Sequence, residues 1–310
     1  MDLPSGLVSI VISIIIPEAG LVMSIFFQAL VSGILIGGVY ALIGIGLTII
    51  FGVMRVINFA HGDLLMLGMY ATYFLFSLFH IDPFLSIFIT VPVMFLFGAF
   101  LQKFFINRAL NALPQNQILL TIGMGLVMSN SIMLAFTSDY KILSTSYSSS
   151  SVMIMGISVS EPLVVSFIIT VAITAALYWY FYKTDPGQAI RATSQDRAAA
   201  QLMGINVKRM SIVAFGIGSA LAATAGALIS PTYYIFPQVG SVFTLKAFVI
   251  TVLGGMGSIV GATLGGILIG VAESVGGVYF GSGWKDVIVF ILFLLVLLFR
   301  PSGLLGTSKD

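Results

Sequence analysis

The sequence is poor in the residues on which most catalytic and metal sites depend. It contains no cysteine, two histidines and two tryptophans in 310 residues. Disulfide bonds, thiolate metal sites and cysteine nucleophiles are therefore excluded, and a site with several histidine ligands is not expected. Charged residues make up only 8% of the chain and the net charge is +2, which is too small for nucleic-acid binding. The sequence predicts no cofactor.

Apolar residues dominate instead. Hydrophobic residues make up 59% of the chain, 25 residues are phenylalanine, and the mean hydropathy is +1.12. Soluble domains carry roughly 25% charged residues, so this chain has too few charges to cover a soluble surface. The apolar runs are continuous rather than alternating, which favours helices over a β-barrel. The sequence predicts an all-α polytopic membrane protein with a single transmembrane domain over residues 1–310.

Apolar runs of spanning length recur between short polar breaks. Gly37-Gly38 alone separates the first two runs, and Gly254–Ser258 alone separates the eighth and ninth. Either pair could form one long or one re-entrant element, so eight to ten transmembrane helices are expected. The apolar segment Leu3–Ile16 is too short for an ordinary span, and its placement stays open. The runs are 21–37, 38–56, 63–79, 83–104, 116–137, 162–182, 211–230, 242–257, 259–278 and 286–300.

Basic residues are distributed unequally between the two sides of these runs. Only Lys141 and Lys285 fall on one side, and cytoplasmic loops carry an excess of Lys and Arg. The sequence therefore predicts a cytoplasmic loop 184–209, a cytoplasmic C-terminus, an extracytoplasmic loop 138–161, and a first span that rises from the cytoplasmic side. The basic residues on the cytoplasmic side are Arg55, Lys103, Arg108, Lys183, Arg191, Arg197, Lys208, Arg209, Arg300 and Lys309.

Small residues recur at helical spacing within the runs. In lipid, such faces let helix backbones approach closely, so they predict helix packing. The faces are Gly218, Ala222 and Gly226; Gly266 and Gly270; and Gly261 and Gly265.

The loop 184–209 is the longest hydrophilic segment. Asp185 before Pro186 predicts one helix start, and Ser194 predicts a second start with Asp196 in its first turn. Gly204 predicts a stop, which leaves a short helix over about 195–203. Its apolar stripe either lies on the membrane surface or the protein's own base, or inserts into a groove on a cytoplasmic partner. The stripe consists of Ala199, Leu202 and Met203, while Arg197 and Gln201 face elsewhere.

Four motifs in order resemble the branched-chain amino-acid ABC importer permeases, and the LivH-type subunit in particular. The resemblance covers about residues 27–306. Within the loop, its pattern is Arg191, Ala192, Asp196, Ala200, Leu202, Gly204, Ile205 and Asn206. The other three motifs are Asn58–Gly62, Val252–Ile259 and Arg300–Gly306.

The resemblance implies a permease subunit of a bacterial inner-membrane importer, not an enzyme. Its partners would be a second permease subunit of the LivM type, two cytoplasmic ATPase subunits, an extracytoplasmic substrate-binding protein and membrane lipid. The chain has no phosphate-binding loop, so ATP hydrolysis would belong to the partners. Its substrates would be branched-chain amino acids or related small polar solutes such as urea, amides and small acids. The residues expected to couple to the ATPases are Arg191, Asp196, Ala199, Ala200, Leu202, Met203, Gly204, Ile205 and Asn206.

Five polar residues are candidates for the translocation path. Asn58, His61 and Asp63 lie between the second and third runs. Either Gly62-Asp63 caps the following helix and His61 is a polar residue at the interface, or the segment is a helix break that lines the path. Lys246 and Glu273 are charges inside predicted spans at similar depth. They could pair structurally or contact substrate, and Lys246 could instead reach outward to the interface.

Two other classes of function remain open at this point. A self-sufficient proton-coupled transporter could use Glu273 or His61, but it would leave the amphipathic loop without a role. A membrane-embedded enzyme lacks a plausible set of catalytic residues.

Overall fold

The computed structural model describes residues 5–306 apart from 111 and 155, with side chains described from Met23 onward except at 154. The sequence left the placement of the segment Leu3–Ile16 open, and this segment falls outside the residues whose side chains are described. The helices are α1 (Ser5–Met54), α2 (His61–Phe79), α3 (Ile87–Leu101), α4 (Asn107–Ala109), α5 (Pro114–Phe136), α6 (Glu161–Lys183), α7 (Asp185–Gln195), α8 (Arg197–Leu202), α9 (Val207–Ile229), α10 (Val239–Gly254), α11 (Ile259–Tyr279) and α12 (Lys285–Phe299).

Within the described residues, eight helices are long and apolar enough to cross a membrane. A π-helical turn, Gln102–Ile106, joins α3 to α4, so that one span covers Ile87–Ala109. A 3₁₀ turn, Ser282–Trp284, leads into α12. The ninth apolar helix, α10, has 16 residues and is shorter than a typical span. The expected eight to ten transmembrane helices are confirmed.

The first two predicted runs form one helix, and the span covers Met23–Met54. Gly37 and Gly38 do not break this helix. A side chain at Gly37 would collide with the Ile267 backbone, and one at Gly38 would collide with the Phe167 ring, so both glycines serve close packing.

Because these two runs form one helix, the chain crosses the membrane one time fewer than the sequence predicts. The first span therefore begins at the opposite end of the molecule from the one expected. Near the start of the span, the Gln28 side-chain nitrogen donates to the Ser158 carbonyl oxygen at 3.1 Å. The beginning of the span therefore lies at the same end of the molecule as the loop 138–161. The expectation that the first span rises from the cytoplasmic side is wrong, because it depended on counting two spans where there is one.

The most buried spans are Met23–Met54 and α9. In each, 83% of the most apolar 18-residue stretch is buried inside the protein. Small residues allow this packing, as the sequence predicts. Gly46 lies against the Gly218 backbone, and Gly68 lies against the Ala223 backbone. On α11, Gly266 packs on α1 in the same way, and Gly261 packs on Gly254 of α10.

The loop between α5 and α6 contains a β-hairpin that the sequence did not predict. Strands β1 (Ser151–Ile154) and β2 (Ile157–Ser160) pair antiparallel, with Ser151 opposite Ser160. The loop is tied to the α2–α3 connection, since the Tyr147 hydroxyl donates to Asp82 at 2.7 Å. Burial, reinforced by this bond, raises the pKa of Tyr147 well above its ordinary value.

Candidate translocation and coupling sites

The chain is not helical between α1 and α2, over residues 55–60. This break lies inside the protein: Asn58 is 1% exposed and His61 is fully buried. The His61 Nε2 atom lies 3.0 Å from the carbonyl oxygen of Ile43, well inside the first span. The helix break that the sequence offered as one alternative is therefore present at membrane depth.

Side chains from two distant helices and from the break itself form hydrogen bonds with the backbone of the break. The Thr121 hydroxyl accepts from the Phe59 amide at 3.3 Å, and the Asn58 side chain accepts from the Ala60 amide at 3.1 Å. The Thr244 hydroxyl accepts from the Gly62 amide at 2.9 Å and donates to the Phe59 carbonyl at 3.2 Å. Irregular backbone is tolerated at membrane depth only with such partners. Sequence reasoning missed both threonines, because nothing local marks which helices will meet the break.

Asp63 lies in the first turn of α2 and is 8% exposed. The residue before α2 is Ala60, and no side chain caps the helix, so the alternative in which Gly62-Asp63 caps it is wrong. The carboxylate sits between α5 and α10. A side chain at Gly125 on α5 or Gly240 on α10 would collide with its oxygens.

The same two helices expose polar side chains that lipid would not favour. Asn130 and Ser131 are exposed on α5, and Gln238 and Ser241 are exposed at the start of α10. The Gln238 amide lies 3.7 Å from the Met133 sulfur and joins the two helices. A polar seam between α5 and α10, defined by Ser129, Asn130, Gln238, Ser241 and Thr244, therefore flanks Asp63.

Lys246 and Glu273 form the ion pair that the sequence predicted. Their charged atoms are 2.7 Å apart, and the side chains are 8% and 14% exposed. Lys246 also donates to the Tyr40 hydroxyl at 3.2 Å. The alternative in which Lys246 reaches outward to the interface is wrong, because its charge is held inside by two partners.

The loop 184–209 contains two helices, and their starts differ from the prediction. The Thr184 hydroxyl, not Asp185, caps α7 by accepting from the Gly187 amide. Ser194 lies inside α7, and Asp196 is the cap of α8 rather than a first-turn residue, accepting from the amides of Ala198 and Ala199. A side chain one residue outside a helix reaches more free amides than one inside it.

The apolar stripe of α8 points away from the protein. Leu202 is 89% exposed, Met203 is 82% exposed and Ala199 is also exposed, while Ala200 is 4% exposed and anchors the helix. The stripe therefore does not lie on the protein's own base. Gly204 ends the helix with a positive φ of 80°, as predicted.

The helices before and after α8 are each held by a side-chain contact. Asn206 caps α9 by accepting from the Arg209 amide at 3.0 Å, and the half-buried Ile205 adjoins it. The Arg191 guanidinium lies 3.9 Å from the centre of the Tyr182 ring, which holds α7 on the end of α6.

A cleft of about 300 Å³ separates the α7–α8 junction from the end of α1. Its lining includes Gly52 and Arg55 on one side and residues 194–198 on the other. Arg55 is the first residue of the break, so the α7–α8 junction adjoins the segment that leads to Asn58 and His61.

Comparison with known proteins covers most of the chain. Residues 29–297 match the family model of the permease component of branched-chain amino acid transport systems. The high-affinity branched-chain amino acid transport system permease protein BraD of Pseudomonas aeruginosa is 35% identical, covering 92% of this chain and 97% of that protein. The corresponding LivH of Escherichia coli K12 is 32% identical, covering 92% and 96%.

A more distant relative is the ribose import permease protein RbsC of Haemophilus influenzae, which is 25% identical over 73% of this chain and 71% of that protein. No solved structure matches the chain. The relatives are permease components rather than enzymes, and they give no support to a self-sufficient proton-coupled transporter. With the family model matched over residues 29–297 and two relatives above 30% identity, the chain belongs to the family of permease components of branched-chain amino acid transport systems.

Proposed function

We propose that this permease component carries branched-chain amino acids into a bacterial cell as part of an ATP-driven importer. The relatives with the higher identity are named for these substrates, whereas the relative named for ribose is more distant. This favours branched-chain amino acids over urea, amides or small acids. The observation that carries the proposal is the exposed apolar stripe on α8, which a self-sufficient transporter would not need.

The translocation path would lie between this chain and a second permease subunit of the LivM type. The polar seam supports this location, because it offers exposed polar groups on a surface otherwise covered by apolar side chains. The helix break with Asn58 and His61 and the neighbouring Asp63 lie buried behind it. The pair of Lys246 and Glu273 would hold α10 and α11 together beside that path. The whole chain, residues 1–310, would act as a single transmembrane domain.

Two cytoplasmic ATPase subunits would supply the energy, one of them docking on α8. Leu202 and Met203 would enter an apolar groove on that subunit, and Arg191, Asp196, Ala199, Ala200, Gly204, Ile205 and Asn206 would shape and hold the docking element. Movement of the α7–α8 junction would reach the end of α1 across the cleft at Gly52 and Arg55. The break at residues 55–60 would then change its position relative to the path, which gives alternating access.

The orientation follows from charge. With the loop 184–209 in the cytoplasm, the C-terminus is cytoplasmic too, and the chain crosses the inner membrane several times. An extracytoplasmic substrate-binding protein would dock at the opposite end, where the loop 138–161 and its hairpin lie.

Substitution of Leu202 by aspartate tests the docking element. A charge in an apolar groove is costly, so Leu202→Asp should abolish uptake and ATPase stimulation by the loaded binding protein, while the complex still inserts. Gln201→Asp is the matched control, because it puts the same charge on another face of α8. Uptake by Leu202→Asp at the parent rate would contradict the proposal.

Labelling with an impermeant thiol reagent tests the orientation. The chain has no cysteine, and Ser149 is exposed in the loop 138–161, so Ser149→Cys supplies this subunit's single thiol. The reagent should label intact cells from outside. A second variant, Gln195→Cys, should react only after the cells are opened, and the reverse pattern would overturn the orientation.

A further inference from the structure

The Asp63 carboxylate has no hydrogen bond or ion pair with any residue that the structure describes, although the residue is only 8% exposed. An ionised carboxylate without a partner is expensive at membrane depth, and such a group is retained when a ligand or substrate uses it. Asp63 therefore differs from Lys246 and Glu273, whose charges neutralise each other at 2.7 Å.

The backbone amides just before Asp63 already have hydrogen-bond acceptors. The amides of Phe59, Ala60 and Gly62 already donate to Thr121, Asn58 and Thr244. The start of α2 therefore offers these amides to no anion, in contrast to a free helix N-terminus. Asn58 Nδ2 and His61 Nδ1 nearby are also buried without a hydrogen-bond partner among the described residues, but the carboxylate is the group here that can carry a negative charge, and it attracts a cation.

The carboxylate lies between α5 and α10 beside the polar seam, and the residue keeps an exposed fraction of 8%. Glycines stand on both sides: a side-chain carbon at Gly240 would lie 2.5 Å from one Asp63 oxygen, and one at Gly125 would collide with the other oxygen. Larger residues there would displace the carboxylate from its place between α5 and α10. Ser129, one turn after Gly125 on α5, is partly exposed, and Ser241, the residue after Gly240 on α10, is exposed, so the same seam offers hydroxyl groups.

We infer that Asp63 binds the ammonium group of a zwitterionic amino acid as it passes through the membrane. This inference rests on the proposed function, and it assigns to the permease itself one contact that separates amino acids from neutral solutes. The ammonium group donates charge-assisted hydrogen bonds to the carboxylate, and the hydroxyls of the seam accept from it as it approaches and leaves.

A metal ion fits this position less well than an ammonium group. Divalent cations prefer several oxygen ligands, usually including more than one carboxylate. The described part of the chain contains no group of three histidine, aspartate or glutamate side chains that could hold a metal ion. A lone carboxylate with hydroxyl neighbours suits an ammonium group, which brings three donors of its own.

The test uses the complete importer, reconstituted in proteoliposomes with its binding protein and radiolabelled leucine. Asp63→Asn keeps the shape of the side chain and removes its charge, and Asp63→Glu keeps the charge. Asp286→Asn is the matched control, because it removes an exposed carboxylate at the start of α12. Three quantities are measured for each variant: uptake, ATPase stimulation by the loaded binding protein, and the Tm of the purified complex.

Asp63→Asn should lower uptake by about tenfold or more, the size expected for loss of a hydrogen bond to a charged group. ATPase stimulation should persist, Asp63→Glu should recover part of the uptake, and the control should match the parent. Because the carboxylate has no partner within the protein, its neutralisation should leave the Tm unchanged or raise it.

Parent-like uptake by Asp63→Asn would overturn the inference, and so would a lower Tm or failure to assemble, since either would assign Asp63 a structural role. Uptake by the parent that requires sodium, with the requirement lost in Asp63→Asn, would identify a sodium site instead and would also overturn it. Failure of the parent to take up leucine at all would contradict the proposed function, which separates the two results.

Discussion

Helices α9 and α12 differ greatly in burial although their hydropathy is almost the same. The most apolar 18-residue stretches of α9 and of the span Ser282–Phe299, which contains α12, have mean hydropathies of 2.0 and 2.2, yet 83% of the first and 6% of the second are buried in the protein. The difference lies in side-chain size. Helix α9 is rich in glycine and alanine, whereas α12 consists mainly of leucine, isoleucine, valine and phenylalanine.

This contrast follows from the lipid that surrounds the protein in the membrane. Lipid tails are as apolar as leucine, so large apolar side chains gain little by leaving lipid for protein. Small residues let backbones approach closely and gain dispersion contacts and hydrogen bonds instead. In this chain hydropathy indicates what lies in the membrane, and residue size indicates what lies in the centre of the bundle.

The largest expected difference in stability is between a lysine substitution in the centre of the bundle and one at its periphery. Lys246→Met leaves Glu273 as an unpaired charge inside the protein and should cost about 3–5 kcal/mol of stability. Lys183→Met, at the exposed end of the peripheral helix α6, should have little effect. Folded yield and Tm of the purified complex measure both.

The double variant Lys246→Met with Glu273→Gln sharpens this result. It should recover much of the loss if the pair is structural, whereas simple addition of the two single effects would show that the residues do not interact. A double variant that folds well and does not transport would assign the pair to the substrate path.

The second comparison concerns two glycines. A methyl group at Gly226 on α9 would lie 3.0 Å from the Met69 backbone nitrogen and still closer to the Leu65 carbonyl, whereas one at Gly123 on α5 would meet nothing within 4 Å. Gly226→Ala should therefore cost about 1–3 kcal/mol or more through overpacking. Gly123→Ala should be neutral or slightly stabilising. Equal Tm values for the two variants would contradict the view that size decides position.

The smallest difference in stability is expected between substitutions of two threonines, one at the helix break and one within a helix. Thr244→Val removes the hydroxyl that serves both the Gly62 amide and the Phe59 carbonyl, and should cost about 1–3 kcal/mol. Thr263→Val removes only a bond to the Ile259 carbonyl of its own helix, so its cost should be smaller. If thermal unfolding ranks the two variants the other way, the threonine is not what stabilises the helix break.

Much of the fold could be predicted from local patterns. Apolar runs located the spans, the depths of Lys246 and Glu273 indicated their pairing, and small-residue faces marked helix contacts. The first two runs were divided at Gly37-Gly38 because a glycine pair can either break a helix or admit a neighbour. Only the presence of Phe167 and Ile267 beside these glycines decides between the two.

The candidate site was predictable only in part, for the same reason. The motif around Asn58 and His61 was visible in the sequence, but the roles of Thr121 and Thr244 depend on helices that lie far away along the chain. The cap of α8 was misplaced by two residues, since Ser194 and Asp196 are both good capping residues and local sequence does not choose between them.

The ion pair between Lys246 and Glu273 has a consequence for the biogenesis of the protein. Helix α10 has 16 residues and carries a lysine, whose insertion at the centre of a helix costs about 2.5–3.5 kcal/mol. Its counter-charge follows 27 residues later, on α11. We therefore expect the two helices to enter the lipid together, with Lys246 and Glu273 paired. Helix α10 would stay in the translocon until Glu273 has been synthesised.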